Sequence, residues 1–427
     1  MLLSSSGGRN SSKKSGKGSE CFKIHSNHII TSIIVSSILP FLVPLLASIL
    51  ATGLAFPKVL RLAVSKNLVD NPDARKLQRI PVPVLGGVPV FLGILTGICC
   101  AHLFFDCSRL MPLISAMTII LMVGIADDIV GLTPRIRFLI EILLVLFICL
   151  TTGHQIDHFH HLWNIDLVPA ALALPLTLIA GVGIINAINL IDGVDGLSSG
   201  FSIQAFICFA IINLVIGNQR LALLALLGIG ALLPFFFHNV FGRTSKMFIG
   251  DGGTLVIGAI FATLVICLLS DDQLTFRLPE RLGLIPFTLA VMCIPVFDTL
   301  RVMTSRIVRH KSPFSADKTH LHHLFIDLGF SHIGTTLCIL ALNLSVILIW
   351  WLSYSLGASI DVQFYIVLLL SISVTFLFYG FMRRQIKHQT ALYRAARRLA
   401  GAIHLRQRPI FIFLQRMADG KGIKGRI

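Results

Sequence analysis

Two amides, two carboxylates and two glycines crowd the stretch Asn186-Ala-Ile-Asn189-Leu-Ile-Asp192-Gly193-Val-Asp195-Gly196. It lies between two apolar runs, each long enough to cross a bilayer. Carboxylates beside hydrocarbon are costly, so such a cluster marks a site more often than a passive turn. Its glycines let the backbone close around a ligand. The plainer alternative is a polar, glycine-punctuated connecting loop. A second acidic pair, Asp127 and Asp128, ends another apolar run. Adjacent carboxylates repel unless a cation shares them, and Mg²⁺ suits a site built from a few carboxylates and substrate phosphate oxygens. Arg137, just beyond, faces the interface where a lipid phosphate would sit.

Two further loops carry polar groups of the same kind. Asp251, bracketed by Gly250 and Gly252, opens an apolar run, where exposed N–H groups favour an anion or a carboxylate–metal–phosphate cluster. An ordinary Asp N-cap is compatible with that reading. Downstream, His320-Leu321-His322-His323 follows Asp298, Arg301 and Asp317. Three histidines in four residues raise the question of zinc, but no Cys-x-x-Cys pair supports it, and imidazoles donate equally well to a pyrophosphate. Near the start, Arg75 and Lys76 precede a Pro- and Gly-stiffened turn and suit phosphate binding. His154, His158, His160 and His161 lie in another loop and read as an exposed polar connection.

The elements that must position these groups are membrane helices. Of 427 residues, 55% are hydrophobic and 13% charged, which excludes a soluble domain of this size. The formal net charge of +16 does not indicate nucleic acid, because the Lys and Arg residues gather in alternate loops and the C-terminal tail. The fold class expected is an all-α polytopic integral membrane protein with about eleven transmembrane helices. Residues 1–28 read as a disordered basic tail, 29–382 as the membrane-embedded domain, and 383–427 as a basic C-terminal tail. The positive loops set the active-site face toward the cytoplasm, leaving the basic N-terminal tail on the wrong side of the rule. The C-terminal tail, with Arg394, Arg397, Arg398, Arg406, Arg408 and Arg416 among apolar residues, reads either as an amphipathic segment on anionic lipid or as a partly disordered extension.

Four motifs stand in register between these runs: Asp-Asp-x-x-Gly-Leu, Asn-x-x-Asn-x-x-Asp-Gly-x-Asp-Gly-Leu, Phe-x-Gly-Asp-x-Gly and His-x-His-His. Together they resemble the polyprenyl-phosphate N-acetylhexosamine-1-phosphate transferases. The His-x-His-His form resembles the undecaprenyl-phosphate GlcNAc-1-phosphate branch more than the phospho-MurNAc-pentapeptide branch. Gln78 and Val84 depart from the family's first-loop pattern. The resemblance implies transfer of HexNAc-1-phosphate from UDP-HexNAc to undecaprenyl phosphate at a multi-pass cell (inner) membrane site, with Mg²⁺ as cofactor and Mn²⁺ an acceptable substitute. It implies that Asp127 and Asp128 lie with the lipid phosphate and the metal, and that Asp251 ligates the metal. Asn186, Asn189, Asp192 and Asp195 would line the nucleotide–metal site. Lys76, His320, His322 and His323 would approach the nucleotide sugar, with Arg137 binding substrate. A homodimer is compatible with it.

In this reading charge neutralisation comes first, because two anions must meet. A lipid phosphate with a second pKa near ~6 needs little help from a base, so direct attack ranks above a covalent aspartyl intermediate. The competing class is a transporter, in which polar groups would be spread near the midplane or over both faces.

Overall fold

A computed structural model describes residues 15–71, 80–270, 279–313, 318–402 and 405–420, with side chains from residue 38 onward. The chain begins with α1 (Ser15–Ser65), whose start lies inside the stretch expected to be disordered. That stretch contains no proline, so nothing stops the helix of the apolar run from extending back into it. A short antiparallel ribbon follows, β1 (Val69–Asp70) against β2 (Val82–Pro83), in the register Val69 to Pro83. Arg75, Lys76 and Gln78 fall between the two strands, outside the described residues. Next come α2 (Gly87–Ala101), α3 (Met111–Val130), α4 (Pro134–Thr152), α5 (Ala170–Leu190), α6 (Leu197–Val215), α7 (Gln219–Phe241) and α8 (Gly250–Leu268).

Beyond α8, the helices α9 (Leu284–Val291) and α10 (Cys293–Val308) meet at a bend of 73°. Pro295 lies in the first turn of α10, where its missing N–H costs nothing, while its ring opposes continuation of α9. The short α11 (Leu321–Asp327) leads into α12 (His332–Ser355) and α13 (Ile360–Ile372). A π turn at Ser373–Leu377 joins α13 to α14 (Phe378–Lys387). The tail, expected to lie flat on lipid or to be partly disordered, forms α15 (Ala391–Ala402) and α16 (Pro409–Asp419).

The bundle is built around α8. After Asp251 this helix carries no charged residue, and it is apolar on all sides. Such a helix belongs in the interior, and nearly every residue from Gly252 to Leu268 is buried. Its small residues let neighbours approach closely. At the crossing with α3, a Cβ on Gly124 would stand 2.4 Å from the Gly252 Cα. No other residue fits there, and the two helix ends bearing Asp127, Asp128 and Asp251 are thereby drawn together.

Among the described residues, eight helices are long and apolar enough to cross a membrane, or nine if the bent α9–α10 pair is one span. The 15-residue α2 is shorter, and α4 carries Arg135, Arg137 and Glu141. These occupy the other places where the sequence predicts a span. One expectation about the opposite end needs correction. His160 is buried, because Phe159 N–H donates to Asp166 O (2.8 Å) and Val168 N–H to Asp157 O (2.8 Å), folding the α4–α5 loop into a hairpin under the end of α8.

The helix crossing gives a direct test. Gly124→Val should destabilise the protein by about 3 kcal/mol, since the new side chain meets backbone that cannot repack. Gly183→Ala, with nothing near its Cβ position, should leave the thermal midpoint in detergent nearly unchanged. Equal midpoints for the two variants would refute the close-crossing argument.

Candidate active site

Four helix ends supply the centre of the site. Asn186 and Asn189 stand three residues apart near the end of α5 and so share a face. Asn189 donates to the Asp251 carboxylate (2.7 Å) and to the Thr254 hydroxyl (2.8 Å) at the start of α8. Arg137, in the first turns of α4, places Nη1 3.2 Å from Asp127 Oδ2 and 3.5 Å from Asp251 Oδ2. Its Nη2 donates to Asn189 Oδ1 (3.4 Å). Two carboxylates from different motifs therefore share one guanidinium, the arrangement that lets acidic groups stay close without a net repulsion. Behind them Asn186 donates to Glu141, which is buried and lies 3.5 Å from Arg137 Nε.

The adjacent acids at the end of α3 part company. Asp127 accepts the Leu132 N–H (2.6 Å) and turns toward Arg137. Asp128 turns the other way, accepting the backbone N–H groups of Asp251 (3.0 Å) and Gly252 (3.4 Å). It thus caps the N-terminus of α8 from a neighbouring helix, satisfying donors that the helix itself leaves open.

The α5–α6 loop shows a similar split. Asp192 accepts the Ser198 hydroxyl (2.7 Å), and its side chain opens on solvent although protein surrounds it densely. That crowding pushes its carboxyl up to about 6, aided by the negative charges of Asp251 and Asp195 and opposed by Ser198. Asp195 is buried and fully engaged, with Lys246 Nζ at 2.7 Å, His332 Nδ1 at 3.1 Å and Arg406 Nη2 at 3.5 Å. Burial alone would raise Asp195, but the hydrogen bond from His332 and the charge of Lys246 hold it below the usual carboxylate range.

The histidines close the other side. Asp298 and Arg301, one turn apart on α10, pair at 2.6 Å, and the same carboxylate accepts from His320 Nδ1 (3.0 Å) and from the Leu321 N–H (3.2 Å). Arg301 in turn lies 3.7 Å above the Tyr379 ring, just beyond the π turn. The rings of His320 and His322 are parallel, with centroids 5.7 Å apart. His322 packs on the acidic loop itself, where a Cβ on Gly193 would lie 2.3 Å from its Nε2. Burial, with His323 and His320 adding to it, pushes the His322 imidazole well below its usual value, so it serves as a neutral ring.

Asp127, Asp251, Arg137, Asn186 and Asn189 therefore meet in one network, with Asp192 electrostatically linked to Asp251 and His322 packed on the Asp192–Asp195 loop. Lys76 lies outside the described residues. Sequence reasoning gave no role to Glu141, Thr254, Asp298, Arg301, Lys246 or His332. Glu141 had a signal, since it is the one acid in α4 and stands four residues after Arg137. Asp298 and Arg301, at a three-residue spacing, had a similar one.

These observations define a polytopic membrane protein with an amide- and carboxylate-lined site at one end of its bundle. Residues 110–269 match the family described as Glycosyl transferase family 4. A probable undecaprenyl-phosphate N-acetylglucosaminyl 1-phosphate transferase of Bacillus subtilis (strain 168) is 31% identical over 329 residues, covering 77% of this chain and 86% of that one. The undecaprenyl-phosphate alpha-N-acetylglucosaminyl 1-phosphate transferases of Yersinia pestis and Salmonella typhi are each 30% identical, covering 65% and 64% of this chain and 75% and 72% of theirs. The chain belongs to glycosyl transferase family 4, with the undecaprenyl-phosphate GlcNAc-1-phosphate transferases.

The Asp192 environment yields a pH prediction. A carboxyl raised in the fold binds its proton more tightly there than in the unfolded chain, so stability falls as pH rises through about 6, and the penalty is fully present above that value. Asp192→Asn should therefore raise the thermal midpoint at pH ~7.5, with the gain shrinking toward pH ~4. A gain that is the same at both pH values would contradict the raised carboxyl.

Proposed function

We propose that this protein transfers a HexNAc-1-phosphate, GlcNAc-1-phosphate foremost, from UDP-HexNAc to undecaprenyl phosphate, yielding undecaprenyl-PP-HexNAc and UMP in the first membrane step of cell-envelope glycan synthesis. The observation that carries the reading is the guanidinium of Arg137 shared by Asp127 and Asp251 at a membrane-helix end, in a chain similar to enzymes named for undecaprenyl phosphate and GlcNAc-1-phosphate. The alternating basic loops support a cytoplasmic face for this site in the cell membrane.

Mg²⁺ fits the donor set. Among the described residues no three His, Cys, Asp or Glu side chains converge on one point. Mg²⁺ asks for less, since one or two carboxylates suffice when substrate phosphates complete its shell. Asp251 and Asp127 are the residues that would hold it, while Asp128 is occupied at the α8 terminus. When bound, the cation supplies Lewis-acid polarisation of the pyrophosphate and stabilises the departing UMP.

The chain's own groups then divide the work. Arg137 meets a phosphate while holding Asp127 and Asp251 close together, and Asn189 fixes the orientation of Asp251. Neutral His322 offers a ring N–H to the donor, and Asp298 fixes the orientation of the neighbouring His320. The lipid phosphate, already largely dianionic with a second pKa near ~6, attacks the β-phosphorus of the donor and displaces UMP. No strong base is required.

The test uses purified protein with undecaprenyl phosphate, Mg²⁺ and UDP-GlcNAc, reading UMP release, with UDP-GalNAc and UDP-MurNAc-pentapeptide as competing donors. UMP should appear only with both lipid and metal, and Asp251→Asn should lower the rate at least ~10²-fold. Turnover of another donor alone would move the sugar assignment, and silence toward all of them would sink the enzyme reading.

Anionic lipid at the tail belongs to the same proposal. Leu392, Leu399, Ile410, Phe413 and Met417 are exposed on α15 and α16 beside Arg394, Arg398, Arg408 and Arg416, the pattern of a helix lying in a lipid interface. Trypsin should cut at Arg394 and Arg398 at least ~5-fold more slowly in nanodiscs containing anionic phospholipid than in neutral ones. Equal cleavage in both would dismiss the contact.

A further inference from the structure

The α7–α8 loop delivers Asp251, yet from Gly242 to Ile249 it has no helix or ladder of its own to fix its shape. Its second half is anchored by the ribbon. Phe248 N–H donates to Pro83 O (2.8 Å), and the N–H groups of Gly86 and Gly87 donate to Phe248 O (2.9 Å) and Ile249 O (2.8 Å). Its first half is anchored from the far end of the chain. The Asp419 Oδ1 at the end of α16 accepts the successive backbone N–H groups of Arg243 (2.9 Å), Thr244 (3.0 Å) and Ser245 (3.1 Å), together with the Ser245 hydroxyl (3.1 Å). Successive N–H groups converging on one oxygen form an anion-holding nest. Burial would raise Asp419, but these bonds hold its carboxyl below the usual range.

The dock is wider than one residue. Phe411 and Ala418, seven apart and so on one face of α16, are buried, and Phe411 meets the Phe241 ring at 5.2 Å. Arg406 reaches Asp195 at 3.5 Å. The loop held by Asp419 also carries Lys246, which pairs with Asp195 (2.7 Å), so the tail touches two of the acidic loops.

We infer that Asp419 is a positioning residue for the transfer reaction: α16 folds back as a strap whose carboxylate fixes the loop that presents Lys246 to Asp195 and Asp251 to the site, with Arg406 as its second tie. The inference rests on the activity proposed above. It is a role in placing other groups, since the Asp419 carboxylate is bonded to the Arg243–Ser245 segment and not to Asp127, Asp192 or Asp251.

The experiment compares full-length wild type, Asp419→Ala and Asp419→Asn in detergent with lipid. Hydrogen–deuterium exchange of residues 243–245 is read alongside kcat and donor KM. In Asp419→Ala these amides should exchange at least ~10-fold faster. In the same variant kcat should fall at least ~5-fold with the donor KM within ~2-fold, because misplacement of reacting groups costs rate more than binding. Asp419→Asn, which keeps an acceptor oxygen, should recover part of both. Unchanged amide exchange would overturn the strap, and loosened amides with unchanged kcat would overturn its positioning role. A rise in turnover or a fall in donor KM would overturn it too, marking Asp419 as a plug in an anion site. Should Asp419→Ala fail to fold, Asp419→Asn and Arg406→Gln carry the same comparison. Wild type silent toward every donor would refute the reaction and with it the positioning role, whereas the amide exchange still decides the strap by itself.

Discussion

Everything at the site depends on keeping two carboxylates from different helices close together at the edge of hydrocarbon. Asp127 and Asp251 would repel each other strongly in such surroundings. Arg137 answers that repulsion from α4, and Asn189 from α5 holds the second carboxylate in place. Four helix ends must therefore meet within a few ångströms, which sets severe limits on packing. The glycine-lined crossing of α3 and α8 satisfies those limits, and Asp128 fixes it further by capping α8. The fold is thus subordinate to an electrostatic requirement at one end of the bundle.

The acidic residues sort by whether the protein has already neutralised them. Asp195 is held by Lys246, Arg406 and His332, and Asp298 is taken by Arg301 and His320. Asp128 is spent on backbone N–H groups. These charges build the site. Among the described residues Asp192 meets only a serine hydroxyl and opens on solvent, and Asp251 is one-third exposed beside a long contact to Arg137. Negative charge that stays accessible beside Arg137 suits the cation of the proposed reaction. A phosphate-bearing substrate brought there with a metal would complete a balance that the protein leaves open.

Much of this was legible in the chain itself. The apolar runs located the helices, because a membrane permits few other structures, and the four motifs marked loops whose described residues lie at the candidate site, although the Asp298–Arg301 pair on α10 stands outside them. The different fates of Asp127 and Asp128 were not legible: two adjacent residues at a helix end point in directions that only the neighbouring helices decide. Asp195 looked equivalent to Asp192, yet its partners Lys246, His332 and Arg406 come from remote parts of the sequence. The docking of the tail was hidden for the same reason. Its arginines and apolar residues describe a surface helix well, but the single acid near its end, Asp419, finds a nest of N–H groups 174 to 176 residues earlier. Long-range pairing of one polar atom leaves no periodic trace.

The placement of charge along α8 also bears on the rival reading of a transport protein. A permeation route needs polar groups, water or both to continue through the bilayer, since each charge stranded there is costly. The central helix offers Asp251 and Thr254 at its first turns and then runs apolar and buried to Leu268. Its neighbours close on it through glycine contacts at Gly124 and Gly258, where an added Cβ would strike backbone. Packing this tight at the centre favours chemistry at one face over passage between two. The bend between α9 and α10 fits the same picture. It turns α10 aside so that Asp298 and Arg301 bring the His320 segment against the acidic loop, and the polar groups gather at one end of the bundle.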